Sequence, residues 1–145
     1  MKRATAVSRI MTPRRAYLIL LVLLVPIGFA TKFYNGPVAD WVSDSLGGLL
    51  YVMFWMLLAM AIRPHARIAL VALAVLTVTC LLEFLQFWHP IWLAPIRATF
   101  LGHALLGNTF SWLDFPYYLL GALLGYGCAR WVDSHFGIGN ASTQP

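Results

Sequence analysis

Four apolar stretches, each long enough to cross a bilayer, limit what this chain can fold into. A transmembrane helix needs about 20 predominantly apolar residues to cross the hydrocarbon core. Hydrophobic residues make up 61% of the 145 residues and charged residues only 10%, which is too little polar surface for an ordinary water-soluble domain. The sequence therefore predicts an integral membrane protein with spans at residues 16–34, 44–62, 68–88 and 112–132.

The segments between these stretches favour a single all-α transmembrane domain over residues 1–145, built as an integral membrane four-helix bundle. Residues 35–43 and 63–67 contain proline and polar residues, as is typical of turns. Residues 91–112 are apolar but interrupted by proline and glycine. We expect them to form an interfacial or re-entrant segment between the third and fourth helices, with a short helix near residues 96–106.

The distribution of lysine and arginine predicts the orientation. In the four-span topology, eight of these residues lie on one side of the membrane, five of them in the N-terminal basic lead (residues 1–15), and two lie on the other side. The first group is Lys2, Arg3, Arg9, Arg14, Arg15, Arg63, Arg67 and Arg130, and the second is Lys32 and Arg97. The positive-inside rule therefore predicts that both termini, including the polar and disordered tail (residues 133–145), are cytoplasmic.

The first apolar stretch has a second interpretation as a cleaved signal peptide. It follows a basic lead and ends near the small residues Gly28 and Ala30, a pattern that permits cleavage after Ala30. Cleavage would leave three helices, which form a poorer bundle than four. We prefer a retained span, and the cleavage hypothesis stays open.

Glu83 is the polar residue that most needs an explanation. A charged group at the bilayer centre costs roughly 2.5–3.5 kcal/mol on insertion scales, and Glu83 lies roughly 9 Å inside its predicted span. Thr79, Glu83 and Gln86 share one helical face, which should point at other helices. These residues either hold helices together by hydrogen bonds or belong to a functional site.

Three further charged residues are expected at the same outer leaflet. Asp44 can cap the second span, and Ser111 with Asp114 matches a capping box. Arg97 can snorkel, bridge carboxylates or bind an anionic group of a ligand; Lys32 is expected to snorkel outward. The candidate polar site comprises Asp44, Glu83, Gln86, Arg97 and Asp114. Three acids and one base would suit a cation, a proton or a hydroxyl-rich headgroup better than a bare anion.

Gly121 and Gly125 form a small-xxx-small face, which is typical of close helix packing in membranes. His89 and His103 lack a recognised metal-binding spacing with Glu83. We therefore predict neither a metal nor a cofactor. The basic residues are not interleaved with aromatic residues on one face, so no nucleic-acid partner is expected.

The polar residues occur in a linked pattern that resembles a known group. Glu83-x-x-Gln86, a following arginine, Asp114 and the two glycines of the last span resemble the VanZ-like group of small bacterial four-helix membrane proteins. A sister family of unknown function, some members of which are catalogued as ribosome maturation proteins, is closer still. Its matching runs are Glu83-Phe84-Leu85-Gln86, Trp92-Leu93, Arg97-Ala98-Thr99, Leu101-Gly102 and Trp112-x-Asp114.

Two positions depart from these patterns. Tyr118 stands where VanZ-like proteins usually have asparagine, and Ala94 stands where the sister family often has an acid. The resemblance implies a location in the bacterial cytoplasmic (inner) membrane. It implies no mechanism, and the sequence contains no domain with which to contact ribosomal RNA.

Three functional hypotheses follow. In the preferred one, the five polar residues form an outward-facing pocket that binds or moves a polar amphiphile such as an envelope lipid headgroup. In the second, the protein is a structural or assembly subunit with a membrane-protein partner. The third is an intramembrane enzyme acting on a lipid-linked substrate, with Glu83 as general base and Arg97 binding an oxygen. No nucleophile constellation is apparent around Ser111, so a role without catalysis is preferred; oligomeric state is not predicted.

Overall fold

The computed structural model describes residues 11–87, 90–102 and 110–137, and this part of the chain contains helices and turns but no strand. In chain order, the helices with described bounds are α1 (Pro13–Phe33), α2 (Ala39–Ile62), α3 (Ile68–Leu85), the short α4 (Ala94–Arg97) and α5 (Asp114–Phe136). A 3₁₀ turn, Ile91–Leu93, leads into α4. The prediction of an all-α fold is confirmed for these residues.

Three of the four predicted spans correspond to helices, α1, α2 and α3, that are each long and apolar enough to cross a membrane. Helix α5 has 23 residues, about 34 Å at 1.5 Å per residue. It is less apolar, because tyrosines, glycines and charged residues interrupt its leucines. The four-span count therefore depends on α5.

Helix α1 begins at Pro13, earlier than the expected start at residue 16. Proline suits the first turn of a helix because its missing N–H would have no partner there. The Thr12 hydroxyl accepts a hydrogen bond from the Arg15 N–H at 3.4 Å and so caps the helix. At the same end of the bundle, Arg14 Nε donates to the Ala61 carbonyl oxygen at 2.9 Å, which ties α1 to the end of α2.

Helix α2 begins at Ala39, so the predicted turn over residues 35–43 is shorter than expected and the prediction that Asp44 caps this helix is wrong. The first turn is already formed by Ala39–Trp41. Asp44 lies in a π-helical turn, Val42–Leu46, that continues into the remainder of α2. Its side chain is exposed.

The ends of α3 and α5 also differ from the predictions. Helix α3 ends at Leu85, before the expected residue 88, which lies outside the described residues. Helix α5 continues to Phe136, so the start of the predicted disordered tail is helical. The Gly137 N–H donates to the Asp133 carbonyl oxygen at 2.8 Å and completes the last turn. Residues 138–145 lie outside the described part.

Helices α2 and α5 each contact the other three long helices of the bundle. One apolar core includes Tyr17, Met60 and Val132, and a second includes Val52 and Met56. In α3, by contrast, Thr79 and Glu83 are the buried residues, so most of this helix faces outward. The packing brings the C-terminal end of α3 next to the start of α5, and the candidate site lies there.

Candidate functional site

Glu83 joins helix α3 to helix α5. Its side chain is 1% exposed, and its carboxylate accepts three hydrogen bonds. The Ser111 N–H donates to Oε1 at 2.9 Å, while Gln86 Nε2 and the Tyr118 hydroxyl donate to Oε2 at 2.8 and 2.7 Å. Ser111 precedes α5 and Tyr118 lies within it. The carboxylate thus connects α3 to α5 and to the segment that precedes α5.

Tyr118 is a site residue that sequence reasoning missed, because it attracted notice only as a departure from a family pattern. Its side chain is buried, and Gly48 of α2 makes room for its ring: a Cβ at Gly48 would lie 2.9 Å from Tyr118 Cε1. A signal was present in the sequence. Tyr118, Gly121 and Gly125 follow i, i+3, i+7 spacing and share the face of α5 that packs inward.

Gln86 is the residue of the site whose hydrogen bonding is incomplete. It is 7% exposed, and its Nε2 is engaged by Glu83. Its Oε1 has no hydrogen-bond partner among the described residues. Buried polar atoms are nearly always paired with protein or water, so this buried oxygen is an acceptor that still requires a donor.

Arg97 reaches the same end of α3 from helix α4. The side chain is 7% exposed, and Nη2 donates to the Leu85 carbonyl oxygen at 3.0 Å. A cation at the C-terminus of a helix is stabilised by the exposed carbonyl groups and the helix dipole. The contact places the guanidinium next to the residue that precedes Gln86.

Asp114 is the half-buried first residue of α5, and it interacts electrostatically with Glu83, Asp44 and Lys32. The predicted capping box between Ser111 and Asp114 does not form. In a capping box the Asp114 side chain would accept a hydrogen bond from the Ser111 N–H, but this N–H donates to Glu83 instead. The N-cap residue of α5 is Leu113, whose side chain makes no capping hydrogen bond. A tertiary contact therefore replaces the local one.

Lys32 adds a second cation that the predicted site did not include. It is exposed, and its Nζ donates to the Ser43 carbonyl oxygen at 2.7 Å and lies 3.4 Å from Ser43 Oγ. It also interacts electrostatically with Asp114. The described contacts thus link Glu83 to Gln86 and to Asp114, and Asp114 to Asp44 and Lys32. Arg97 lies at the same end of α3.

A cluster of aromatic rings lies where the end of α3 meets the start of α5. Phe84 contacts Phe110, Trp112 and Phe115, with ring centroids 5.5–6.2 Å apart. Phe110 and Trp112 meet edge to face at 4.9 Å, and Phe115 contacts the Tyr118 ring at 6.2 Å. Trp112 remains 68% exposed. The cluster therefore lies beside the Glu83 network and presents an aromatic surface outward.

The chemistry available for catalysis or metal binding is limited in the part of the chain that the structure describes. Those residues contain no group of three or more histidine, cysteine, aspartate or glutamate side chains placed to hold a metal ion. His89 and His103, considered above as ligands, lie outside it. The Ser111 hydroxyl accepts a hydrogen bond from the Leu113 N–H at 3.3 Å. This contact gives the serine no activating base.

Gly121 and Gly125 bring the backbone of α5 close to α2. A Cβ at Gly121 would lie 2.5 Å from the Leu49 carbonyl oxygen, and one at Gly125 would lie 2.8 Å from Met56 Sδ. This approach holds Tyr118, one turn earlier, against α2 and within reach of Glu83. The packing glycines thus support the site indirectly.

The Tyr118→Phe variant is expected to lower the free energy of unfolding by about 0.5–1.5 kcal/mol, because it removes one of the three hydrogen bonds to Glu83. Titration of detergent-solubilised protein with sodium dodecyl sulfate, followed by circular dichroism, measures the change. Tyr117→Phe is the matched control, since the Tyr117 hydroxyl accepts a hydrogen bond from Nε1 of the exposed Trp41. An equal effect of both variants would contradict a special role for the Glu83 contact.

Comparison with known proteins identifies a family but no activity. Residues 38–122 match the model of a family described as a protein of unknown function, DUF2809. The match covers more than half of the chain, including all five predicted polar site residues and Tyr118, and excludes α1. No solved structure matches the chain. The chain belongs to the DUF2809 family of proteins of unknown function.

Proposed function

We propose that this protein binds the polar headgroup of a membrane amphiphile, such as an envelope lipid, at the outer ends of α3 and α5, and that it holds or moves the amphiphile there. The observation that carries the proposal is the incomplete hydrogen bonding of the Gln86 side chain. Its buried Oε1 has no partner among the described residues, while its Nε2 is fixed by Glu83. The acceptor is thus held in position for an external donor.

The surroundings of Gln86 support a headgroup as the ligand. Charged groups of both signs lie at this end of the bundle, and the aromatic cluster presents Trp112 at the surface. Tryptophan is enriched at the level of lipid headgroups. A ligand with a polar head and an apolar tail could place its head at Gln86 and leave its tail among lipids.

The proposal includes a topology. Helix α5 is the fourth span, both termini are cytoplasmic, and the membrane is the bacterial cytoplasmic membrane. Support comes from the positive-inside rule. The hydrogen bond from Arg14 to the Ala61 carbonyl oxygen also places Arg14 at the end of α2 that precedes Arg63 and Arg67. The resemblance to VanZ-like proteins supports a bacterial envelope role. In this orientation the Glu83 network faces outward.

A structural or assembly role is the second candidate, and the hydrogen bonds of Glu83 favour it. All three are internal contacts that fasten α3 to α5. Such a network would hold the bundle together without any ligand. The two candidates differ in whether removing the free acceptor of Gln86 changes what the protein binds or only how stable it is.

The test compares Gln86→Met with Tyr118→Phe. Each variant removes one donor to Glu83 Oε2, but only the first removes the free Oε1 acceptor. Lipids that co-purify from native membranes are quantified by mass spectrometry for both variants and for the wild type. We expect one lipid class to be depleted at least about fivefold in Gln86→Met, the effect of losing roughly 1 kcal/mol of binding free energy, and retained in Tyr118→Phe.

Two results would contradict the proposal. If the wild type and Gln86→Met carry the same lipids in the same amounts, the site binds no headgroup. If both variants lose the lipid in proportion to their loss of stability, the contacts of Glu83 serve the fold, and the structural role is preferred.

A further inference from the structure

We infer that the ligand headgroup carries an ammonium group with N–H donors, as in an aminoalkyl phosphate headgroup. This inference rests on the proposed function and narrows it to one chemical class. It follows from the hydrogen-bonding roles, the charges and the aromatic surface at the outer end of the bundle.

The hydrogen-bonding roles favour a donor. Gln86 Oε1 can only accept, and it is the buried side-chain oxygen that lacks a partner in the described chain. The two cations of the site already donate to the backbone: Arg97 Nη2 to the Leu85 carbonyl oxygen and Lys32 Nζ to the Ser43 carbonyl oxygen. A headgroup with N–H groups supplies what Gln86 requires.

The charges favour a cation. Asp114 is half-buried and experiences the repulsion of Glu83 and Asp44, which Lys32 offsets. Three carboxylates face two cations in this region, so an added positive charge reduces the repulsion among the acids. Each hydrogen bond from an ammonium group to a carboxylate is also stronger than one between neutral groups.

The aromatic cluster provides a second, independent attraction for a cation. Trp112 and Phe115 flank Asp114 in sequence, and their ring centroids lie 5.6 Å apart with an angle of 30° between the ring planes. Trp112 is largely exposed. Ring faces attract cations, tryptophan most strongly. An ammonium group near Asp114 can therefore contact both a carboxylate and an aromatic face, whereas a phosphate alone gains from neither.

The experiment measures binding of three short-chain lipids to the purified full-length protein in detergent by native mass spectrometry. Phosphatidylethanolamine has a cation with N–H donors, phosphatidylcholine has a cation without them, and phosphatidylglycerol has hydroxyl donors but no cation. We expect dissociation constants to increase in that order, with about a tenfold difference between the first and the last, as one charge-assisted hydrogen bond would give.

Asp114→Asn tests the charge, and Asp133→Asn is its matched control at the opposite end of α5. We expect the first variant to reduce the preference for phosphatidylethanolamine over phosphatidylglycerol at least about threefold, the effect of a partly screened charge, and the second to leave it unchanged. The preference among the three lipids is measured on the wild-type protein. It therefore tests the inference even if the Asp114→Asn variant does not fold.

The outcomes separate this inference from the proposed function. If phosphatidylglycerol binds as tightly as phosphatidylethanolamine and Gln86→Met weakens both, the ammonium inference is wrong and headgroup binding stands. If Gln86→Met changes binding of none of the three lipids, both are wrong. If soluble glycerophosphoethanolamine displaces the lipid at equal concentration, the ammonium class stands, but the ligand is a soluble amine and not an amphiphile.

Discussion

Replacement of Glu83 by alanine is expected to lower the free energy of unfolding by about 2–5 kcal/mol, the largest effect of any single substitution in the outer half of the bundle. The change removes the acceptor of three hydrogen bonds at once. It leaves the buried Gln86 amide and Tyr118 hydroxyl and the partly buried Ser111 N–H without this acceptor, and unpaired buried donors are costly in a medium of low dielectric constant.

The isosteric variant Glu83→Gln is expected to cost only about 1 kcal/mol or less. Its oxygen can still accept from the Ser111 N–H. Its amide group can donate to the Tyr118 hydroxyl and to a reversed Gln86 amide, because both partners can accept as well as donate. Titration with sodium dodecyl sulfate, read by circular dichroism, compares the two variants. A Glu83→Ala protein as stable as the wild type would show that this network does not join α3 to α5.

Replacement of Gly121 by alanine is expected to have the second-largest effect, a loss of about 2–3 kcal/mol from overpacking. The new Cβ would lie 2.5 Å from the Leu49 carbonyl oxygen, and a backbone atom inside α2 cannot move aside without separating the helices. At Gly125 the obstacle is the flexible Met56 side chain, so the Gly125→Ala variant should lose less stability.

Gly127→Ala is the matched control on the same helix. A Cβ built at Gly127 meets no described atom within 4 Å, and alanine is a better helix former than glycine. This variant should be as stable as the wild type or slightly more stable. If alanine at Gly121 is tolerated as well as at Gly127 in the same denaturation experiment, the close contact between α5 and α2 is wrong.

Hydropathy alone predicted the helices that consist of one continuous run of apolar residues. Helices α1, α2 and α3 are continuous apolar runs, so their existence and approximate bounds followed from the sequence. Helix α5 was harder, because its inward face carries glycines and tyrosines instead of leucines. Those residues lower its apolarity and at the same time allow its close packing against α2.

The spacing of the polar residues predicted some contacts of the candidate site but not others. The i, i+3 spacing of Glu83 and Gln86 predicted a shared face, and their hydrogen bond follows from it. The capping roles assigned to Asp44 and Asp114 are wrong for two different reasons. Helix α2 begins at Ala39, so Asp44 lies beyond its first turn. For Asp114, a distant residue takes the backbone group. Capping motifs describe local competition for backbone N–H groups, and here Glu83, 28 residues away along the chain, takes the Ser111 N–H.

The contacts of Lys32 and Tyr118 could not be derived from spacing. Lys32 bonds the backbone of Ser43 across the first turn between helices, and Tyr118 reaches Glu83 from another helix. Both contacts depend on the relative placement of helices, which the apolar pattern of each helix leaves undetermined. They change the predicted site from one cation to two and identify Glu83 as the residue that joins its parts.

The most direct test of headgroup binding is an experimental structure of the protein in nanodiscs made from its native membrane lipids. The account predicts density for a lipid at the outer ends of α3 and α5, with a headgroup donor about 2.7–3.2 Å from Gln86 Oε1, the range of a good hydrogen bond. An ordered water or a side chain of this protein bonded to that oxygen, with no lipid density beside it, would contradict the account.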